Sequence, residues 1–174
     1  TVCIKNGRWQ GYNTDIYGFT MGLREAGVKA RGKDVIVIGA GGAARAIIYA
    51  LLQEKAHSII VLNRTLLKAK RLIAEFASFY PECLFGAAEL TSSNASLFLV
   101  SKDLIVNTTS LGLKPSDPSP VAWKDLPRAK RGALAYDLIY SKTAFLKFAK
   151  QKGYKTVDGL PMLLYQGAKA FQIW

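Results

Sequence analysis

The chain has 174 residues, half of them apolar, a length that builds one substantial core and falls short of two ordinary domains. No stretch approaches the roughly 20 uninterrupted apolar residues of a membrane span, and residues 1–11 lack the basic-then-apolar run of a signal peptide, so a cytoplasmic protein without a membrane partner is expected. The formal net charge of +12 suits a polyanionic small molecule as well as a nucleic acid, but the cations are scattered and no exposed aromatics are evident among them for base stacking, so no nucleic-acid partner is expected.

In chain order, Asn13-Thr14-Asp15 precedes an apolar-periodic run, Phe19, Leu23 and Ala26, closed by Gly27, which reads as an N-capped helix over 13–27. Residues 34–38 are almost wholly apolar and β-branched, as a strand covered on both faces requires. They run through Gly39-Ala40-Gly41-Gly42-Ala43-Ala44 into a helix over 45–52, and a second strand over 58–62 ends at Asn63-Arg64-Thr65. That is one βαβ unit. A helix over 65–79 stops at Pro81, and a short third strand is expected near 83–85.

A further strand over 103–107 leads into a loop that carries Pro115, Pro118, Pro120 and Pro127 and is neither helix nor sheet. A strand over 133–138 precedes a helix over 143–152, ended by Gly153 in the position of a left-handed cap. Asp158-Gly159-Leu160-Pro161 opens a last helix, through Met162, Leu163, Ala168 and Phe171, still running at Trp174. The alternation of strands and helices predicts an α/β, doubly wound Rossmann-like domain with a mainly parallel sheet. Cys3 and Cys83 stand far apart with no Cys or His at ligand spacing, so buried thiols are expected and no metal. His57, the only histidine, reads as a surface loop residue.

Gly39, Ala40, Gly41, Gly42, Ala43 and Ala44 fit G-x-G-x-x-G/A directly between a strand and a helix. The first glycine allows the tight turn, the second lets backbone approach a pyrophosphate, and the small Ala44 lets helix and strand pack closely. Free N–H groups at the helix start then face the phosphates. At the end of the second strand an NAD site usually places an acid on the ribose 2′-hydroxyl. Here stand Asn63, Arg64 and Thr65, with Lys68 one turn on, a set that would clasp a 2′-phosphate and favours NADP. The plainer alternative is that Arg64 and Lys68 are a solvated helix start. Asp15, taken alone, is a helix-start acid.

Several separated motifs resemble the shikimate dehydrogenase family. They are Gly11-Tyr12-Asn13-Thr14-Asp15 with Gly18-Phe19, the Gly39–Ala43 turn, Asn63-Arg64-Thr65, Val106-Asn107-Thr108-Thr109-Ser110-Leu111-Gly112, Asp137-Leu138-Ile139-Tyr140 and the run 158–168. The resemblance implies NADP-dependent, reversible oxidation of shikimate, a small anionic substrate, to 3-dehydroshikimate. It implies that Asp15 binds substrate hydroxyls and helps organise proton transfer beside a catalytic lysine. It places Tyr140 and Gln166 against the substrate, Gly159 and Met162 near the nicotinamide, and Asn107, Thr108 and Thr109 along the cofactor cleft.

In that family the catalytic lysine and the hydroxyls for the substrate carboxylate come from an N-terminal substrate domain, and no lysine here occupies the place of that lysine. Residues 1–174 are accordingly expected to be the NADP-binding domain with the interdomain helices at 13–27 and 160–174, the substrate domain lying outside. The opening Thr1 and the helix running at Trp174 suggest an excised or processed segment. Ser110, Ser141 and Lys142 depart from the family pattern and leave quinate open as a substrate; a non-catalytic NADP-binding module and a homo-oligomer remain alternatives. Mixed with shikimate and NADP, this chain alone is expected to produce NADPH slowly or not at all by absorbance, and turnover like that of a complete dehydrogenase would refute the expectation.

Overall fold

The computed structural model describes residues 1–124 and 126–174. It opens with an antiparallel hairpin, β1 (Val2–Lys5) and β2 (Arg8–Gly11). Asn6 and Gly7 join the strands with φ of 50° and 72°, the paired positive angles that let a two-residue turn follow the twist of its strands. Helix α1 (Thr14–Glu25) follows, N-capped by Asn13, whose side chain accepts from the Asp15 N–H.

Six parallel strands then alternate with helices: β3 (Asp34–Ile38), α2 (Gly42–Gln53), β4 (Ser58–Asn63), α3 (Leu66–Ala77), β5 (Leu84–Glu89), α4 (Ser92–Phe98), β6 (Leu104–Asn107), β7 (Leu134–Asp137), α5 (Ala144–Gln151), β8 (Lys155–Val157) and α6 (Leu160–Ile173). The sheet order is β5-β4-β3-β6-β7-β8, the doubly wound topology that the alternation leads one to expect. The helices cover both faces because successive strand residues point to opposite sides. Val35 and Val37 join the core beneath α1, α2 and α3, whereas Ile36 and Ile38 join that beneath α4 and α5. Each such side chain contributes about 1.5–3 kcal/mol on burial.

Three elements lie outside the sequence expectation: the hairpin, α4 and the edge strand β8. The third strand is also longer than expected, because Gly86 fits opposite Ile60, where a Cβ would come within 3.2 Å of its Cγ1. Only Cys83 is a buried thiol; Cys3 is partly exposed. Burial, reinforced by the charge of Glu82, pushes the Cys83 thiol up to about 11. His57 is exposed, as expected. An aromatic does stand among cations: Trp9 is 79% exposed at the hairpin, beside Lys5 and Arg8. No helix among the described residues is long and apolar enough to cross a membrane.

At the amino ends of the strands, three connections meet on Asp103. Lys33 and Lys130 reach its Oδ1 at 3.2 and 2.8 Å, and the Asp34 N–H reaches Oδ2 at 2.9 Å. Burial pushes the Asp103 carboxyl upward, but Lys130, the Asp34 N–H and Lys33 together outweigh it and hold the group below the usual carboxylate value. Lys29, Arg31, Lys55, Arg128, Arg131 and Lys155 stand exposed along this same edge.

Tyr136 of β7 lies wholly inside, its ring 5.1 Å from that of Phe19. Its hydroxyl has no well-formed hydrogen-bond partner among the described residues, the Met162 backbone being its nearest polar neighbour, and burial raises its pKa. It presses on Gly22 of α1, where a Cβ would collide with the hydroxyl oxygen. Gly22→Ala is therefore expected to lose about 1–3 kcal/mol of stability by overpacking. Tyr136→Phe should be neutral or stabilising, because it removes a buried unpaired hydroxyl. Thermal melts of the double variant should show most of the Gly22→Ala loss recovered; an equal loss in both backgrounds would place the obstruction elsewhere.

Candidate functional site

All six strands of the sheet run the same way, so their carboxyl ends, and the turns leaving them, gather on one edge. At its centre Gly39 turns out of β3 with φ of 108°. The Ile38 carbonyl accepts from the Thr108 N–H at 2.9 Å and from Thr108 Oγ1 at 2.7 Å, which draws the β6 loop against the turn. A Cβ on Gly39 would come 2.6 Å from Thr108 Oγ1.

Gly41 is the N-cap of α2 and offers no side chain to the helix start, so the first N–H groups of α2 are left for another acceptor. A Cβ added to Gly41 or Gly42 would meet nothing within 4 Å, and Ala40 and Ala43 on either side of them are half-buried. Ala44, by contrast, is completely buried. This arrangement presents N–H donors and the positive end of a helix dipole to an anion.

Beside the turn, Asn63 closes β4 and donates from Nδ2 to the Thr65 carbonyl at 2.9 Å. Thr65 caps α3 without a side-chain hydrogen bond. Arg64, Thr65 and Lys68 are exposed, and neither cation is in an ion pair among the described residues.

On the other side of Gly39 the structure gives Asn107 a place different from the one expected. Its side chain is 0% exposed and turns inward, with Nδ2 donating to Asp137 Oδ1 at 3.0 Å. Its Oδ1 accepts from the N–H and the hydroxyl of Thr109 at 3.0 and 2.8 Å. Asn107 thus lies behind the loop that leaves β6, on which Thr108 and Thr109 are half-buried. Asp137 was not singled out as a site residue. It too is 0% exposed, and burial raises its carboxyl above the ordinary value against the opposing hydrogen bonds of Thr143, Ile139 and Asn107. The sequence signal was there: a carboxylate at the end of an otherwise apolar strand.

Asp15, half-buried in the first turn of α1, lies next to Thr14, whose hydroxyl donates to Gln166 Oε1 of α6 at 3.3 Å. Gly18 permits this packing: a Cβ there would be 2.9 Å from that of Gln166. Asp15 and Gln166 therefore share one end of the α1–α6 pair. Tyr140 is 61% exposed on the turn after β7 and makes no side-chain hydrogen bond to either among the described residues. Gly159 seats against the Leu138 carbonyl with no room for a Cβ, and Met162 is buried in the first turn of α6. A cavity of about 420 Å³ lined by Val121, Trp123 and Phe148 lies against α5, apart from these strand ends. No group of three or more metal-ligating side chains occurs among the described residues.

Residues 23–110 match the family described as Shikimate / quinate 5-dehydrogenase. The chain belongs to that family. Among shikimate/quinate dehydrogenase relatives, a protein named shikimate dehydrogenase (NADP(+)) from Aquifex aeolicus is 43% identical over 175 residues, which take in all of this chain and 59% of that protein. The crystal structure of shikimate 5-dehydrogenase from Thermus thermophilus in complex with NADP(H) and shikimate is 37% identical, with a TM-score of 0.81 over 99% of this chain and 60% of that one. That of the Listeria monocytogenes enzyme in complex with shikimate and NAD is 29% identical, with a TM-score of 0.87 and 61% of its length covered. The chain spans about three fifths of the length of these family members.

The two ends of the glycine turn should respond differently to substitution. Gly39→Ala forces a side chain into a left-handed backbone at a cost of about 1–2 kcal/mol, besides the collision with Thr108. Gly41→Ala should leave the melting temperature nearly unchanged and weaken dinucleotide binding in a titration, if the open space receives a pyrophosphate. Unchanged binding by Gly41→Ala would sever the turn from that role.

Proposed function

We propose that the chain is the NADP-binding part of an oxidoreductase that interconverts shikimate and 3-dehydroshikimate. The observation that carries this reading is the pairing of an open, glycine-lined helix start with two unpaired cations at the end of the neighbouring strand. The turn fits a pyrophosphate, since Gly41 and Gly42 leave space and N–H donors. Arg64 fits the 2′-phosphate that distinguishes NADP from NAD, for its planar guanidinium can make two parallel charge-assisted hydrogen bonds, and Lys68 adds a second charge. No carboxylate occupies the Asn63-Arg64-Thr65 segment to favour a ribose hydroxyl. The Aquifex aeolicus relative, named for NADP(+), and the Thermus thermophilus complex with NADP(H) support the same choice.

When bound, NADP supplies a hydride acceptor. The work of this chain's residues is then to place the partners and handle the proton. Thr108 and Thr109 wall the cleft, and Gly159 and Met162 lie on the side toward the last helix. Asp15, in reach of the α1–α6 junction, would accept a hydrogen bond from a substrate hydroxyl and help take its proton as hydride leaves the carbon. Gln166 and Tyr140 would hold further hydroxyls. The partner carboxylate site and the catalytic lysine belong, in this proposal, to a substrate domain beyond these residues. Quinate, which the family name also carries, is the second reading for the substrate.

The test is calorimetric titration of the wild-type chain and Arg64→Ala with NADP and with NAD. Loss of the paired guanidinium is expected to cost about 1.5–3 kcal/mol of NADP affinity and to leave NAD binding nearly unchanged. Equal losses for both nucleotides, or none, would remove the basis for the cofactor assignment.

A further inference from the structure

We propose that Asp137 is the positioning residue of the cleft: one buried carboxylate that holds the cofactor loop after β6 and the Tyr140 turn after β7 in register. The carboxylate sits at the end of β7 and accepts three hydrogen bonds. Oδ1 takes Asn107 Nδ2 at 3.0 Å and the Ile139 N–H at 3.1 Å. Oδ2 takes the Thr143 hydroxyl at 2.7 Å. No Lys, Arg or His forms an ion pair with it among the described residues. A buried anion without a cation is costly unless its acceptors are filled, so the donors that surround it are held firmly in turn.

Each donor belongs to a different part of the site. An amide can face either way, but a flipped Asn107 would aim its oxygen at the carboxylate and its NH2 at the N–H of Thr109. The carboxylate selects the other orientation, in which Asn107 Oδ1 accepts from Thr109 N and Oγ1. Thr109 Oγ1 then accepts from the Leu111 N–H at 3.2 Å. The order reaches the cofactor loop through one side chain.

Thr143 is oriented in the same way. Its hydroxyl proton goes to Asp137, which leaves the oxygen to accept from the Leu146 N–H at 3.2 Å and cap α5. Its methyl group packs under the same loop, since a Cβ on Gly112 would come 2.7 Å from Thr143 Cγ2. The third donor, Ile139 N–H, sets the turn that displays Tyr140, and the Ile139 carbonyl accepts from the Gly159 N–H at 3.0 Å at the entry to α6. Only an acceptor at every lone pair satisfies these demands. An amide at this position would set N–H against N–H on one side or leave the Thr143 hydroxyl proton without an acceptor on the other.

The consequence for ligand binding rests on the dinucleotide reading above; the structural coupling does not. The experiment compares wild type, Asp137→Asn, Thr143→Val and Thr143→Ser by amide hydrogen exchange and by NADPH titration. Asp137→Asn is expected to speed exchange at Thr109, Leu111 and Ile139 by about ten-fold or more, with the Val35 and Ile60 amides of the sheet unchanged. Thr143→Val, which keeps the carboxylate and the methyl but removes one donor, should loosen the Leu146 and Leu111 amides, and Thr143→Ser, which keeps the hydroxyl and loses only the methyl, should leave the Leu146 and Ile139 amides as in wild type. Should Asp137→Asn not fold, the Thr143 pair decides by the same contrast. Faster exchange at Ile139 alone, or an equal change at every amide, would overturn the coupling. NADPH affinity should fall about ten-fold in Asp137→Asn; full affinity with loosened loops would overturn the link to the ligand. If wild type does not bind NADPH, the dinucleotide reading fails, and the exchange pattern still decides whether Asp137 couples the loops.

Discussion

The carbonyl of Ile38 holds two donors from one residue, the N–H and the hydroxyl of Thr108, and the geometry of the whole cleft follows from that junction. It lies where the sheet changes direction, since β3 has β4 on one side and β6 on the other. The connections from β3 and β6 leave toward opposite faces there, and a crevice opens between them, the place where open α/β sheets bind ligands. Because Thr108 closes so tightly on the chain, only glycine fits at position 39. The turn that results carries the start of α2 to the crevice with its N–H groups outward.

Polar groups around that crevice fall into two populations. Asn107, Thr109, Asp137 and Thr143 satisfy one another inside the protein, and Thr108 is satisfied by the Ile38 carbonyl. The start of α2 at Gly41 has no side-chain cap, and Arg64 and Lys68 are exposed and without an ion pair among the described residues. The first group costs folding free energy only if it is broken. The second is free to exchange water for a ligand, and its cost is paid in water until one arrives. The separation of these roles explains why a candidate binding edge can be rich in polar side chains and still belong to a well-packed domain.

Much of this was legible in the amino-acid sequence, because the central strands must be apolar on both faces and the glycine turn has few steric solutions. Strands β3, β4, β6 and β7, the capped α1 and the left-handed Gly153 are all of this kind. The hairpin escaped although Asn6-Gly7 is a strong turn signal, since the surrounding residues Val2, Ile4 and Trp9 are exposed and show no buried face to a periodicity reading. Strand β8 has three residues at a sheet edge and begins with a lysine, and α4 is a seven-residue helix whose first five residues are Ser, Asn and Ala and read as loop. At 63–65 and 107–109 the residue types suggest ligand contacts, but they do not give the direction in which each side chain turns. Asn107 faces inward because Asp137, thirty positions later, needs its donor; a pairing across the sheet leaves no local trace.

The lysines and arginines at the amino ends of the strands bear on how a ligand would reach the crevice. Helix carboxyl ends point to that edge, and the cations there balance the negative ends of the dipoles. Strand β3 alone has five residues, about 17 Å at roughly 3.3 Å per residue, so those charges are separated from the crevice by more than the ~8 Å over which ions screen a field in physiological salt. The +12 of the chain is therefore a poor guide to its pull on an anion. Capture of a phosphate-bearing molecule would depend on the few cations on the near edge, and would feel the salt concentration as a site with two or three charges does.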